Sequence, residues 1–336
     1  MNLDAQNLCN SSFHVGSLLL GGRALLAPMS GVTDVGMRRV AMRFGASAVV
    51  SEMVASDDYV RGDEESRLRA EGEGVKPHIV QIAGCQPYWM GEAARLAEAS
   101  GAEALDINMG CPAKRVTGGY AGSALMRDLD LALALVEATV GAVTIPVTLK
   151  MRLGWDADSL NAPELARRAE AAGVKLITVH GRTRQQFYKG RADWSAIARV
   201  REAISLPLVA NGDCENLADA RAMLAASGAD AIMVGRSAVG RPWLVGEIAA
   251  GLARRESLAI SAEAKAAAAV EHLQTLLATM GPTTGLRHAR KHLSAYAQHA
   301  GAPEALRLQL VTTDNAAEAE QLLSRAFETP LVAAAA

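Results

Sequence analysis

The chain has 336 residues and a mass of 35.2 kDa; 50% of its residues are hydrophobic and 21% are charged. This composition excludes a disordered or fibrous protein, and the length predicts one large domain with an appendage. The 34 Lys and Arg residues against 36 Asp and Glu residues give a formal charge of −2, so any polyanion would have to bind a local cationic patch.

Membrane and metal-dependent classes are not indicated. No uncharged apolar stretch approaches the roughly 20 residues of a membrane span, and no cationic run precedes the N-terminal apolar stretch. We therefore predict a cytoplasmic protein with no membrane association and no evident protein partner. The four cysteines have neither CxxC spacing nor histidines at zinc-ligand spacing, so we predict no disulfide and no metal site. They are Cys9, Cys85, Cys111 and Cys214.

Short apolar runs that are typical of buried strands recur along the first two thirds of the chain. Amphipathic stretches such as 90–99, 129–140, 163–172 and 218–226 lie between them, and several end in Gly. Strand and helix alternating eight times predicts a parallel (β/α)8 TIM barrel, with a doubly wound sheet as the structural alternative. The eight runs are 24–28, 48–50, 78–82, 104–108, 146–151, 175–180, 207–211 and 229–234.

Strand signals end near Gly251, and the rest of the chain reads as helices. We predict helices over 261–280, 285–299 and 302–310, separated by Gly and Pro. The predicted organisation is a catalytic barrel domain over residues 1–250 and a small helical domain over 251–336.

Polar residues follow nearly every predicted strand, at the end where barrels of this kind carry their active sites. Gly212 and Gly235, followed by Arg236, suit a phosphate group. Gln81 could pair with the edge of a heterocycle, and Lys150 could place a charge beside a carbonyl or an anionic ring. This set predicts a flavin mononucleotide (FMN) site, although Lys150 could instead be the Schiff-base lysine of an aldolase.

Five segments carry a family resemblance. The chain resembles the bacterial tRNA-dihydrouridine synthases, most closely their B-type branch, from about residue 23 through the barrel and again at 290–292. The segments are 27–34 (APMSGVTD), 106–114 (DINMGCPAK), 149–155 (LKMRLGW), 179–184 (VHGRTR) and 210–213 (ANGD).

The resemblance implies a reaction and the residues that carry it. Members of the family reduce a uridine of tRNA to 5,6-dihydrouridine, using FMN that NADPH or NADH has first reduced. Cys111 would be the general acid that protonates the base. The resemblance leaves Glu52 open between binding substrate and orienting a neighbouring basic group. The implied cofactor contacts are Pro28, Met29, Ser30, Gln81, Lys150, His180, Asn211, Gly212, Asp213, Gly235 and Arg236.

We expect the target uridine to lie in the D-loop of folded tRNA. It must leave the base stack to reach a pocket, so basic residues should surround the mouth of that pocket and bind the neighbouring phosphates. Asn108 is expected to face the uracil. The alternative for the C-terminal cations is an ordinary solvated helix face. The implied tRNA contacts are Lys114, Arg115, Arg152, Arg182 and Arg184 after strand ends, and Arg287, Arg290, Lys291 and His292 on the C-terminal helix.

Three other functions remain open. A flavin oxidoreductase acting on a free pyrimidine such as dihydroorotate would share the cofactor residues, but would need neither rim arginines nor a helical extension. A non-redox aldolase or lyase would use Lys150. An RNA-binding protein without chemistry would need the basic residues alone.

Overall fold

The computed structural model describes residues 12–255 and 259–328. Cys9 therefore lies outside the described residues. A short antiparallel hairpin, β1 and β2, precedes the barrel and was not predicted. The strands are β1 (Phe13–Val15), β2 (Leu18–Leu20), β3 (Ala24–Leu26), β4 (Ala48–Ala55), β5 (Ile79–Ala83), β6 (Ala104–Met109), β7 (Val147–Arg152), β8 (Leu176–His180), β9 (Leu208–Asn211) and β10 (Ala231–Val234).

Strands β3 to β10 form one closed parallel barrel in sequence order, as predicted. Closure is direct, because Met233 of β10 is paired with Leu25 of β3 on one side and with Asn211 of β9 on the other. This pairing excludes an open doubly wound sheet. Each of the eight apolar runs supplies one barrel strand.

The helices alternate with the barrel strands and then continue alone to the end of the described chain. They are α1 (Val35–Arg43), α2 (Ser56–Val60), α3 (Glu64–Ala70), α4 (Pro87–Ala99), α5 (Lys114–Thr117), α6 (Leu129–Val140), α7 (Ala162–Ala171), α8 (Ser195–Arg201), α9 (Leu217–Ser227), α10 (Leu244–Leu252), α11 (Ala262–Met280), α12 (Pro282–His299), α13 (Glu304–Thr312) and α14 (Ala316–Glu328).

Local sequence explains where the barrel helices begin and end. The Asn216 side chain accepts a hydrogen bond from the backbone N–H of Asp219 and so caps the first turn of α9. Gly228 ends α9 with φ of 63°, a left-handed conformation that favours glycine. Helix α7 buries Leu165, Ala166 and Ala169 on one face, which is the spacing that packs a helix against a sheet.

Helices α11 to α14 form the C-terminal helical region, residues 262–328. Three of its helices were predicted, and α14 was missed. Its core is separate from that of the barrel but touches it through Trp243, whose ring centroid lies 6.1 Å from that of Phe44 and 6.0 Å from that of Tyr296. None of the helices in the described residues is both long and apolar enough to cross a membrane.

Candidate active site

The carboxyl ends of the barrel strands surround a cavity of about 1180 Å³. The cavity is lined by every residue predicted to bind the cofactor, and also by Cys111, Asn108, Arg115 and Arg152. Its size exceeds the roughly 300–1,000 Å³ of pockets that hold one small molecule, so a cofactor and part of a second molecule fit together. Lys114, Arg182, Arg184 and the four α12 residues that were predicted to bind tRNA do not line it.

A chain of buried amides forms one wall of the cavity. Gln81 donates from Nε2 to Asp106 Oδ2 at 2.6 Å, which fixes the orientation of its amide because a carboxylate only accepts. Gln81 Oε1 then accepts from Asn108 Nδ2 at 2.8 Å. The single side-chain oxygen of Asn108, Oδ1, accepts hydrogen bonds from the backbone N–H of Gly110 at 3.1 Å and from that of Cys111 at 2.9 Å. Asp106 therefore sets, through two amides, the position of the Cys111 backbone.

Cys111 is half-buried in the loop between β6 and α5. Its carbonyl accepts from Ser123 Oγ at 2.8 Å and from the Ser123 backbone N–H at 3.0 Å. With the Asn108 contact on its N–H, the backbone of Cys111 is held from both sides. A thiol on such a fixed backbone can act at one defined position of the cavity. Asn108 was predicted to face the substrate, but its carbonyl oxygen and amide are both engaged with protein groups.

Lys150 is buried in β7, where it is paired with Asn108 of the neighbouring strand β6. Its Nζ donates to Asn211 Oδ1 at 3.1 Å, and Asn211 Nδ2 donates to the Met233 carbonyl at 2.8 Å. Burial lowers the pKa of Lys150 to about 8, with Arg152 adding to the effect and Asp106 opposing it. The ammonium group thus keeps donors that can reach a bound group in the cavity.

His180 is neutral in this environment. Burial lowers its pKa well below the ordinary value, and the positive charges of Lys150, Arg152 and Arg182 lower it further. Its Nε2 lies 3.3 Å from Arg182 NH1, so this nitrogen accepts and the proton is on Nδ1. Neutral His180 can therefore donate one hydrogen bond and adds no charge to the site.

Two arginines that were predicted to contact phosphates are buried, and their donors are engaged with protein groups. Arg152 is 1% exposed and donates to the carbonyls of Gly110, Thr183 and Phe187 at 2.8, 3.0 and 2.9 Å. Arg182 is 2% exposed and donates to both carboxylate oxygens of Asp213 at 2.9 and 2.6 Å. The guanidinium groups of Arg152 and Arg182 hold loops of the site in place. Asp213 takes part in this, because its carboxylate accepts both hydrogen bonds from Arg182.

The mouth of the cavity has an aromatic side chain that the sequence analysis missed. Tyr188 lines the cavity, with its ring centroid 4.7 Å from the guanidinium carbon of Arg236 and 5.6 Å from that of Arg152. Arg236 is exposed, and it approaches Asp213 to 3.6 Å. The signal that could have indicated Tyr188 is the aromatic pair Phe187–Tyr188 in the loop after a barrel strand.

The other basic residues at the mouth of the cavity differ in their exposure and in their contacts with protein groups. Lys114 and Arg115 are exposed on the short helix α5 beside the Cys111 loop. Arg184 is half-buried, with its guanidinium carbon 4.7 Å from the ring centroid of Trp155. Lys114 and Arg115 can therefore meet a large anionic substrate without breaking an existing contact.

The four basic residues of α12 do not share one surface. Arg287 is exposed, whereas Arg290 donates to Asp314 Oδ1 at 2.7 Å. Lys291 donates to the carbonyl of Gly31, in the loop after β3. His292 is 2% exposed with its Nε2 3.7 Å from Asp34 Oδ2, so its predicted role on the cationic surface is wrong.

Glu52 contacts the same loop from the barrel side. Its carboxylate accepts the backbone N–H of Gly31 and lies 3.9 Å from Arg69 Nε. Burial raises the pKa of Glu52, although the Gly31 contact opposes that shift. These contacts favour the orienting alternative for Glu52.

Asp34, His272 and His292 bring potential metal-ligating atoms within 4.8 Å of one another, although no metal site was predicted. Hydrogen bonds already account for most of this cluster. His272 Nε2 lies 3.0 and 3.1 Å from the Asp34 oxygens, and its Nδ1 lies 2.9 Å from the Tyr296 hydroxyl. The cluster thus joins helices α11 and α12 to the N-terminus of α1 without requiring an ion.

Known proteins resemble this chain over most of its length. The dihydrouridine synthase family model matches residues 25–331. A probable tRNA-dihydrouridine synthase of Rhodobacter capsulatus is 52% identical over 93% of this chain and 96% of its own, and one of Rhizobium leguminosarum bv. phaseoli is 58% identical over 82% and 84%. The tRNA-dihydrouridine synthase B of Xanthomonas axonopodis pv. citri is 45% identical over 84% and 86%.

Solved structures support the fold. A 2-naphthoyl-CoA reductase aligns with a TM-score of 0.57 at 15% identity, over 73% of this chain and 52% of its own. An old yellow enzyme homologue from Zymomonas mobilis aligns with a TM-score of 0.52 at 15% identity, over 69% and 89%. At such identities the likeness concerns the barrel architecture.

Proposed function

The chain belongs to the dihydrouridine synthase family, an oxidoreductase family, and we propose that it reduces a uridine in the D-loop of tRNA to 5,6-dihydrouridine with FMN and NADPH. The observation that carries this proposal is the convergence of Cys111 and all the cofactor residues on one cavity. NADH is the alternative reductant. A reaction on tRNA belongs in the cytoplasm.

The cavity suits FMN in its donors and its shape. Lys150, Gln81 and Asn211 would hold the polar edge of the ring system, with Pro28, Met29 and Ser30 beneath it. Gly212, Asp213, Gly235 and Arg236 would hold the ribityl and phosphate groups, assisted by His180. A Cβ on Gly235 would meet only the Met29 sulfur, 4.0 Å away, so this backbone lies open toward the cavity.

FMN, when bound and reduced, supplies the hydride for the pyrimidine double bond. Cys111 supplies the proton: its Sγ–H bond breaks as a C–H bond forms at carbon 5, and solvent returns the proton to the thiolate. Asn108 and Ser123 hold the Cys111 backbone during this transfer. Arg152 ties the preceding carbonyl, that of Gly110, to the loop that carries Tyr188. Preorganisation of this kind keeps the acid at one distance from the base.

The tRNA must present an extruded uridine, so the protein has to bind phosphates around the mouth. We assign this task to Lys114 and Arg115 beside the cavity and to Arg287 on α12, all of which are exposed. Arg184 and Arg290 join them where their present contacts with Trp155 and Asp314 are released. We keep residues 1–250 as the FMN domain and 251–336 as the tRNA-binding domain.

The test is an anaerobic reaction of the flavin-loaded protein with NADPH and unmodified tRNA. NADPH should bleach the flavin absorbance, tRNA should restore it, and dihydrouridine should map to one position of the D-loop. Bleached flavin that tRNA cannot reoxidise but a free pyrimidine can would favour the dihydroorotate-type alternative. A protein that binds no FMN and forms an imine at Lys150 would favour the aldolase alternative.

A further inference from the structure

The loop between β3 and α1 carries three of the cofactor residues, Pro28, Met29 and Ser30, and is stabilised by only a few contacts of its own. Thr33 Oγ1 accepts the Met29 backbone N–H at 2.9 Å, and the Thr33 N–H donates to the Met29 carbonyl at 3.0 Å. These bonds close one tight turn. They leave the position of that turn over the cavity to contacts with other parts of the molecule.

Gly31, at the tip of the turn, is held at both of its backbone polar groups. Its N–H donates to the carboxylate of Glu52 from β4, and its carbonyl accepts from the ammonium group of Lys291 on α12. Its φ of 70° is left-handed, and a Cβ placed there would lie 3.1 Å from Lys291 Nζ. The left-handed backbone favours glycine at this position, and a Cβ there would press on the end of the Lys291 side chain.

Asp34, at the end of the same loop, is held by the C-terminal helical region. Its Oδ1 caps α1 by accepting the Met37 N–H at 3.1 Å. Its carboxylate also lies 3.0 Å from Nε2 of His272 on α11 and 3.7 Å from Nε2 of His292 on α12. The loop is thus held at its tip by Lys291 and at its end by a hydrogen bond with His272, against whose ring His292 packs with a centroid distance of 4.6 Å.

Lys291 and His292 are neighbours in sequence, so one turn of α12 reaches both fastening points. We propose that Lys291 and His292 are positioning residues that hold the flavin-contacting loop over the cavity, and that the C-terminal helical region contributes to cofactor binding in addition to any contact with RNA. This inference rests on the proposed FMN site. It reassigns two of the residues that the resemblance implied for tRNA.

The test compares FMN affinity among lysine variants of the full-length protein, using apo-protein titrated with FMN and the quenching of flavin fluorescence. Lys291→Met removes the donor while keeping the side-chain length. Loss of a hydrogen bond from a charged donor should weaken FMN binding about tenfold. Lys291→Arg keeps a charged donor and should restore most of the affinity. Lys175→Met makes the same change at an exposed site where β8 begins, away from the cavity, and should bind FMN like the wild type.

A second measurement separates positioning from RNA binding. With FMN saturating, Lys291→Met should bind tRNA as tightly as the wild type, and the absorption spectrum of its bound flavin should differ from that of the wild type because the loop beneath the ring has moved. Wild-type FMN affinity and spectrum in Lys291→Met, with weakened tRNA binding, would overturn the inference and return Lys291 to the RNA surface. Failure of the wild type to bind FMN would instead refute the proposed function.

Discussion

The barrel mouth and helix α12 both supply basic residues that the sequence assigned to tRNA, but the two regions use them differently. At the mouth, Arg152 and Arg182 are buried and fasten loops of the site, whereas Lys114 and Arg115 stay exposed. On α12, Lys291 and His292 turn toward the barrel, and Arg287 turns outward. Position at a strand end or on a basic helix face therefore marks a residue as near the site without saying what its charge contacts.

The difference has a physical cause. A buried guanidinium is tolerated only where protein acceptors satisfy its donors, so Arg152 takes three backbone carbonyls and Arg182 takes a carboxylate. An exposed cation keeps its hydration and can exchange it for a phosphate at little cost. Basic residues that donate to acceptors of the barrel should thus control turnover, FMN binding and stability, and exposed ones without such acceptors should control tRNA affinity.

The largest expected effect comes from the acid itself. Cys111→Ala should keep FMN and its reduction by NADPH, and should lower dihydrouridine formation by about 10²- to 10⁴-fold because proton transfer loses its donor. The loss is measured as the rate of dihydrouridine formation in a single turnover. Cys85→Ala is the matched control, since Cys85 is also half-buried and lines the same cavity. It should react like the wild type, and normal turnover by Cys111→Ala would remove the assignment.

Arg152→Met should have the next largest effect, about 100-fold on kcat, because a shift of the Cys111 loop by about 1 Å misplaces the acid. Three carbonyls would lose their donor, and leaving the buried Thr183 carbonyl unpaired costs about 1–3 kcal/mol, so the free energy of unfolding should fall as well. Steady-state kinetics and urea unfolding measure the two effects. Arg115→Met, at the exposed rim, should change tRNA affinity alone.

The opposite split would break the comparison between buried and exposed cations. If Arg152→Met weakened tRNA binding at unchanged kcat, Arg152 would contact RNA in the complex despite its burial. Reduced kcat in Arg115→Met at saturating tRNA would likewise show that exposure does not separate the two tasks.

Periodicity predicted the barrel well because each of its strands is a continuous apolar run bounded by helix and turn signals. All eight runs supplied strands, and helices such as α6 matched their predicted range. Selecting the polar residues that follow each predicted strand then identified the residues of the cavity, because the carboxyl ends of parallel barrel strands all lie on one face. Helix α14 was missed although its buried residues Ala319, Leu322, Leu323 and Ala326 have the spacing of a helix face.

Hydrogen-bond partners far apart in sequence could not be predicted. Nothing near Asp34 in sequence indicates that His272, 238 residues later, contacts it. The same holds for Lys291 and Gly31, which are 260 residues apart. Such contacts depend on how the helical region packs on the barrel, so the sequence identified these residues as site candidates and misassigned what they bind.

The junction between barrel and helical region should be sensitive to acid. Burial lowers the pKa of His292 to about 3, with His272, Lys291 and His288 adding to the effect and Asp34 opposing it. Between pH 6.5 and 3 the unfolded chain therefore binds a proton there that the folded chain does not. Stability from this group is complete above pH 6.5 and is lost as pH falls, by at most about 1.4 kcal/mol per pH unit.

Asp34 contributes to the pH dependence of stability over a lower pH range than His292. Burial alone would raise its pKa, but His272 and His292 together lower it below the ordinary value of 3.8, so its contribution is present above pH 3.8 and is lost below. Between pH 5 and 7, His292→Phe should flatten the pH dependence of urea unfolding. An unaltered slope in His292→Phe would show that His292 binds its proton equally in the folded and unfolded chains, and so would contradict the lowered pKa.

The smallest effect separates two arginines of α12. Arg287 is exposed and makes no ion pair within the described residues, so Arg287→Ala should weaken tRNA binding a few-fold and reduce the slope of log Kd against log salt by about 1. Arg290 must first release Asp314, to which it donates at 2.7 Å, so Arg290→Ala should cost less affinity. Asp314→Ala should then tighten tRNA binding by freeing Arg290.

Equal losses of tRNA affinity in both arginine variants, with no gain from Asp314→Ala, would mean that RNA displaces the surface ion pair at negligible cost, as weak exposed pairs permit. In that case contact with the barrel, which Lys291 makes at Gly31 and His292 makes beside Asp34, would distinguish the cations of α12 that hold the barrel from those that meet RNA.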